Sequence, residues 1–379
     1  MTILAGLALA IWLYLLLAHG GFWLARETDA AESLPPDRWP NVVAIVPARD
    51  EAEVIGRSIA SLLAQNYPGV FRVVLVDDGS SDGTAMAARQ AGEGTGAAER
   101  LEVVSGTTPP RGWTGKLWAL ETGIRHLDRT PTWLWLTDAD IVHAPDTLRA
   151  LVALGEADGL VLNSLMARLE CEGLAERALI PAFVFFFQML YPFARVNDPR
   201  SRVAGAAGGC MLIRADALAR AGGIGAIAHA IIDDCAMGRA MKRQGRIRLS
   251  LTRRSRSIRP YGGWRAIGAM IARSAYAQLH YSPLLLAGTV AGMALTYLVP
   301  PLVALLGQGL ARWLALAAWG LMAVAFQPML RFYHRSPLWG VALPAIASFY
   351  GGATILSALH HRQGRGGMWK GRVQAELTP

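Results

Sequence analysis

The sequence predicts an α/β domain with a mostly parallel sheet, held between apolar segments at its two ends. Three observations carry this. Across residues 38–282, β-branched runs alternate with stretches of helical spacing, the pattern of strands and helices layered on one sheet. The chain of 379 residues is 53% hydrophobic and only 17% charged, with mean hydropathy +0.30, well short of the charge of soluble domains. Long uncharged stretches stand at both ends.

The elements follow in order. Ile3–Ala25 carries no formal charge and is long enough to cross a bilayer, so 1–26 reads as an uncleaved transmembrane anchor. Asn41–Val46, Phe71–Val76, Leu101–Val104 and Trp133–Thr137 read as strands. Val54–Gln65, Gly83–Ala91, Thr114–Leu127 and a segment after Pro145 read as the helices between and after them. Ala178–Ala194 is uncharged but short and holds Pro181 and Pro192; an interfacial helix over about 177–194 and a buried core helix both fit. The amphipathic stretch 263–280, with Trp264, Ile267, Met270, Ile271 and Tyr276, reads as a second interfacial helix, or as a plain connector. Region 283–360 breaks at Arg312 and at Arg331, His334 and Arg335 into about three further spans, and 361–379 is a basic tail.

Charge separates along the chain. Residues 1–234 hold 19 basic and 27 acidic side chains, whereas 235–379 hold 18 basic and one acidic, Glu376. Because the basic half runs into apolar segments, the partner it suggests is an anionic membrane surface and not nucleic acid. With the arginine-rich 26–282 on the cytoplasmic side, the reading is an integral protein of a bacterial-type inner membrane. One anchor and three spans would then carry the basic tail to the far side, against the positive-inside tendency. Cys171, Cys210 and Cys235 form no CxxC spacing, which excludes a disulfide scaffold. No P-loop and no GxGxxG after the first strand is present.

Acidic clusters follow the strands: Asp50 and Glu51, Asp77 and Asp78, Asp138 and Asp140, with Asp233 and Asp234 after a later apolar run. In open α/β sheets ligands gather at the carboxyl ends of strands, and carboxylates brought together there need a compensating cation. Asp138-Ala139-Asp140 offers hard oxygen donors, too few for a full protein cage. That suits Mn2+ or Mg2+ completed by substrate phosphate and water; a helix-capping turn is the plain alternative. Lys116, one of three lysines against 34 arginines, opens a helix where it could meet a phosphate or simply face solvent.

Val46-Pro47-Ala48-Arg49-Asp50-Glu51, Val76-Asp77-Asp78-Gly79-Ser80, Asp138-Ala139-Asp140 and Asp233-Asp234, in this order, resemble the family 2 glycosyltransferases of GT-A nucleotide-sugar-binding fold. The resemblance implies that Pro47, Ala48, Arg49, Glu51 and Asp78 hold the nucleotide of a UDP-sugar. It implies that Asp138 and Asp140 bind diphosphate through a metal. Asp234, with Asp233 beside it, would be the catalytic base of an inverting transfer. Pro110–Lys116, Ile232–Gly238, Arg256–Tyr261 and Ala275–Pro283 are similar to the hopanoid-biosynthesis-associated (hopene-associated) membrane glycosyltransferases, which implies a lipid acceptor of hopanoid type. The Gln-x-x-Arg-Trp of polymer-making relatives is replaced by Met270-Ile271-Ala272-Arg273-Ser274. This favours single transfer, with Arg273 either toward the diphosphate or at the membrane interface. The alternatives are a transferase acting on polyprenyl phosphate or a ceramide-like lipid, and a non-catalytic membrane scaffold of a lipid-synthesis complex.

Overall fold

The computed structural model describes residues 1–30 and 33–364, and the backbone of 368–369 and 372–373. Helix α1 (Thr2–Leu17) ends well before Ala25, because Gly20 and Gly21 take φ of +67° and +60° and turn the chain out of the helix. Sixteen residues at 1.5 Å each reach about 24 Å, short of a hydrocarbon core of about 30 Å. Strand β1 (Val42–Ala48) is buried throughout. Helix α2 (Ala52–Leu63) lays Ile55, Ile59, Leu62 and Leu63 on the same core. Next come β2 (Phe71–Asp77), α3 (Thr84–Thr95), β3 (Leu101–Ser105) and α4 (Gly115–Arg125). The α4 helix lies close on the sheet at Gly123, where a Cβ would stand 2.8 Å from an Ile45 methyl and 2.9 Å from one of Val76. Strand β4 (Trp133–Leu136), β5 (Ile141–His143), α5 (Thr147–Ala157) and β6 (Leu160–Arg168) follow. Trp133 and Trp135 of β4 are both fully buried.

Beyond β6 run α6 (Leu174–Leu190), the short α7 (Phe193–Asn197), β7 (Met211–Arg214), α8 (Ala215–Arg220), α9 (Asp233–Lys242) and β8 (Arg246–Ser257). The chain then becomes helical: α10 (Trp264–Gln278), α11 (Pro283–Met293), a π-turn at Ala294–Leu298, α12 (Val299–Leu306), α13 (Gly309–Phe332) and α14 (Leu343–Arg362). The π-turn directly precedes Pro300-Pro301, whose missing N–H groups cannot close the ordinary helical bonds.

These elements form two compact units. One comprises Glu27–Glu170, Arg195–Pro260 and Met368–Pro379 and holds an eight-stranded sheet in the order β3-β2-β1-β4-β7-β6-β8-β5. The expected parallel strands are there: β1 pairs in parallel with β2 and β4, and β2 with β3. The sheet as a whole is mixed: β6 also pairs in parallel with β8, so four of its seven neighbouring pairs are parallel and three antiparallel. Strand β7 enters antiparallel between β4 and β6, and β5 pairs antiparallel with β8. Long-range antiparallel partners of this kind leave no local sequence signature, unlike strands joined by crossover helices.

The other unit comprises Met1–Arg26, Cys171–Ala194 and Tyr261–Gly367. The segments expected at the interface, 177–194 and 263–280, form α6 and α10 within it. Helix α1 packs on α13, whose buried face is small in its first half, Ala311, Ala315 and Ala318, and larger beyond, at Met322, Phe326, Met329 and Leu330. Small faces let helix backbones approach closely. Trp12 Nε1 donates to Thr296 O (3.0 Å), and the Tyr350 hydroxyl to Leu179 O (2.8 Å). Among the described residues two helices are long and apolar enough to cross a membrane by length and composition, Pro283–Leu306 and Gly309–Phe332, and Thr2–Leu17 is a shorter apolar helix. The expected count was one plus about three. The third expected C-terminal span is α14, which carries Ser348, Ser357 and His360-His361-Arg362. Most of the basic tail lies outside the described residues.

Candidate active site

The carboxyl end of β1 carries the first group. Pro47 stands beyond the stretch of β1 that pairs with β4, Val42–Ile45, so its missing N–H removes no bond from that ladder. Ala48 O accepts the Asp78 N–H (2.8 Å), locking the ends of β1 and β2 together. Asp50 sits in the left-handed region at φ +50°, a strained place for a non-glycine residue. It is held there from both sides. Its N–H donates to Ser80 Oγ (3.0 Å), and its Oδ1 accepts the Ser81 N–H (2.9 Å). The Glu51 and Ala52 N–H groups donate to Thr84 Oγ1 (2.8 Å) and Asp82 Oδ2 (2.9 Å). Arg49 folds back so that Nη1 donates to Asp78 O (2.5 Å) and lies 3.7 Å from Asp78 Oδ2. Among the described residues the buried Arg49 Nε has no hydrogen-bond partner, and it lies 4.0 Å from Asp50 Oδ2. An unsatisfied buried donor at a strand end suits a polar ligand.

The second group centres on Lys116. Thr114 caps α4 by accepting the Leu117 N–H, which sets Lys116 in the first turn. Its Nζ lies 2.8 Å from Asp138 Oδ1 and 3.0 Å from Asp233 Oδ2. Burial opposes its charged form, but Asp138 and Asp233 outweigh it and raise the pKa. Asp233 and Asp234 open α9, where the helix dipole favours negative charge. Asp234 accepts from the N–H groups of Gly208 (3.2 Å) and Cys235 (2.6 Å). Even so, burial first and Asp233 second push its carboxyl up to about 6, against Lys116 and those donors. Asp138 is also pushed up, by burial foremost and then by Asp140 and Asp233, with Lys116 opposing. Gly208 makes the junction tight: a Cβ there would lie 3.2 Å from Lys116 Nζ and 3.6 Å from Asp234 Cβ.

The third group is closed by a residue that carried no role in the sequence reading. Antiparallel pairing of β5 with β8 brings Arg259 onto the Asp138–Asp140 turn. Its Nε donates to Asp140 Oδ2 (3.1 Å) and its Nη2 to Glu51 Oε2 (2.5 Å), while Ser257 Oγ donates to the same Asp140 oxygen (3.0 Å). Asp138 and Asp140 therefore answer to different protein cations, Lys116 and Arg259. Beneath the turn, the Thr137 hydroxyl donates to Gly209 O (2.8 Å). His143 Nε2 must then be the donor to Thr137 Oγ1 (2.9 Å), and its Nδ1 accepts from Ser255 (2.8 Å). Burial keeps this imidazole neutral by depressing its pKa to about 3.

The structure thus joins Arg49 to Asp78, Glu51 to Asp140, and Lys116 to Asp138 and Asp233, beside Asp234. Arg273 lies exposed on α10, in the helical unit. Asp138 and Asp140 supply two hard oxygen donors from one turn. Among the described residues no group of three His, Cys, Asp or Glu side chains converges to hold a metal. The donor set fits a divalent cation that draws its other ligands from phosphate and water, not one caged by protein alone.

Residues 43–222 match Glycosyl transferase family 2. Over nearly its whole length the chain resembles in fold a mannosyltransferase from Pyrobaculum calidifontis, solved in complex with GDP-Man and Mn2+. The two are 22% identical, the match covers 94% of this chain and 99% of that one, and the TM-score is 0.54. Glucosyl-3-phosphoglycerate synthase from Mycobacterium tuberculosis, solved with Mn2+ and UDP-glucose, is 19% identical over 61% of this chain and 77% of that one, with a TM-score of 0.39. Among curated proteins, the succinoglycan biosynthesis protein ExoU of Rhizobium meliloti is 45% identical over 64 residues. That match spans only 17% of this chain and 17% of the relative's length.

Proposed function

We propose that this chain, of GT-A-like fold, is a family 2 glycosyltransferase that transfers a single sugar from a UDP-sugar to a lipid hydroxyl with inversion at the anomeric carbon. The observation that carries the proposal is the Lys116 ammonium held between Asp138 and Asp233 with Asp234 beside it. The two carboxylates that open α9, the ammonium and the Asp138–Asp140 turn suit a nucleotide site at the strand ends of an α/β sheet. Arg49, Glu51 and Asp78, with the backbone at Pro47 and Ala48, take the uridine and ribose. Asp234 accepts the acceptor's proton while that oxygen attacks the anomeric carbon. The bond to the diphosphate breaks in the same step, and UDP leaves with the electron pair. A carboxyl pushed up to about 6 is a stronger base than an ordinary one, yet ionised at neutral pH. Asp233 holds Lys116 in place. Mn2+ or Mg2+, when bound by Asp138 and Asp140, supplies charge neutralisation for the departing diphosphate. A role for Arg273 toward that diphosphate is part of the proposal and is tested by Arg273→Ala.

The lipid acceptor is supported by the two long apolar helices, whose Leu284, Leu306, Leu310 and Trp313 lie exposed. They suit an integral protein of the inner membrane with its sheet domain on the cytoplasmic side. A hopanoid is the acceptor proposed first; polyprenyl phosphate and a ceramide-like lipid are the competing acceptors. The test is nucleotide release by the detergent-purified full chain. It is run with UDP-sugars and GDP-mannose, with Mn2+, Mg2+ or EDTA, and with each lipid in turn. Lipid-dependent UDP release that EDTA abolishes and Asp234→Asn removes supports the reading. Absence of release from every donor overturns it in favour of a scaffold.

A further inference from the structure

Arg259 spans two of the three site groups. Its guanidinium donates to Glu51 after β1 and to Asp140 after β4, and Ser257 donates to the same Asp140 oxygen. Asp140 is thus already neutralised by protein. The Arg259 side chain is 36% exposed, whereas those of Asp140 and Glu51 are 16% and 9% exposed, so the cation is the accessible member of the trio. Glu51 and Asp140 pair with Arg259, and Asp138 and Asp233 pair with Lys116 with Asp234 beside it, so the second and third groups together with Glu51 hold five carboxylates against two cations. A diphosphate arriving alone meets net negative charge. A divalent cation arriving alone meets an Asp140 whose Oδ2 already has two donors. Each ligand relieves the obstacle to the other. The metal can take over Asp140, and the freed planar fork of the guanidinium matches phosphate as well as it matches carboxylate.

We propose that Arg259 is an exchangeable counter-ion: it holds Asp140 in the ligand-free protein and passes to the donor diphosphate when a divalent cation takes Asp140, so that metal and nucleotide bind cooperatively. This rests on the reading of the site as a metal–nucleotide-sugar site, and goes beyond it by assigning the coupling to one residue. The coupling is of the ordinary thermodynamic kind, in which each ligand raises the affinity of the other by the same factor.

The experiment measures Mn2+ binding by the loss of its free electron paramagnetic resonance signal, and UDP binding by calorimetry. Each ligand is titrated alone and in the presence of the other, on the full chain in detergent. In the wild type, UDP should tighten Mn2+ binding on the order of tenfold. In Arg259→Gln, Mn2+ alone should bind several-fold more tightly than to the wild type, the enhancement by UDP should fall below about threefold, and UDP with Mn2+ should bind on the order of tenfold more weakly. Arg259→Lys keeps the charge but not the fork and should fall between the two; it also carries the comparison if Arg259→Gln does not fold. Unchanged Mn2+ affinity and unchanged coupling in both variants overturn the exchange while leaving the donor site standing. A wild type that binds UDP neither with nor without Mn2+ overturns the site reading itself.

Discussion

Replacing Asp234 with Asn should remove activity and, at neutral pH, make the protein more stable. The folded carboxyl is raised from 3.8 to about 6 by burial and by Asp233. The folded state therefore binds this proton more tightly than the unfolded chain does. Stability from this group is full below the unfolded value and is lost as pH rises from near 3.8 through about 6. A shift of about two units corresponds to about 3 kcal/mol of strain carried by the ionised form. Asn removes that strain but keeps only one acceptor oxygen for the Gly208 and Cys235 N–H groups, costing about 1–2 kcal/mol. The net expectation is a variant about 1–2 kcal/mol more stable than the wild type at pH 8. Near pH 3.5 the sign reverses, since the wild-type carboxyl is then protonated in both states. Thermal unfolding in detergent across this pH range reads the difference. Transfer should fall by about 10²–10⁴-fold, and wild-type kcat should rise with pH through about 6. An Asn variant that keeps kcat within about threefold of wild type, or that is destabilised equally at both pH values, refutes the assignment of a strained base.

His143→Ala should cost about 3 kcal/mol by leaving Thr137 and Ser255 without their partner and opening a cavity beside Trp135. Because the folded imidazole is depressed to about 3, the wild type loses stability as pH falls below about 6.5. The gap between the two proteins, read as a Tm difference, should narrow in acid. Gly238→Ala places a methyl 2.7 Å from Gly205 C, with its Cα and O at 2.9 Å. It should destabilise by about 2 kcal/mol and lower kcat, because α9 also carries Asp234. Val324→Arg on the exposed face of α13 separates a membrane span from a surface helix. It should cost about 2–3 kcal/mol and reduce carbonate-resistant membrane recovery if the helix is in lipid, and change little otherwise. Excess EDTA should abolish lipid-dependent UDP release and added Mn2+ restore it, measured on the same preparation.

What the sequence made legible, and what it hid, divides along one physical line. Strands β1 to β4 and helices α2 to α5 are local events. Each strand is a short apolar run, and each acidic cluster follows its strand end, so Asp50, Asp77, Asp78 and Asp138 were readable where they stand. The far half of the sheet is set by pairing across long separations. Strand β8 reads RIRLSLTRRSRS, and its arginines mask an alternation that becomes visible only once β6 and β5 flank it. That pairing delivers Arg259 to Asp140, so the third site group had no local signal. The same holds for Gly208, whose role depends on two residues distant in sequence. The extent of α1 was hidden for a different reason. Absence of charge measures length in sequence, whereas Gly20 and Gly21 stop α1 by conformation. The site's chemistry follows from this mixture. Carboxylates that sequence places at separate strand ends are brought together by the sheet, and their repulsion is offset by cations from elsewhere, Lys116 on α4 and Arg259 beyond β8. Pairing each of the Asp138–Asp140 carboxylates with its own cation lets the site keep its shape when empty. It also leaves the pair open to exchange when a diphosphate and a divalent cation arrive together.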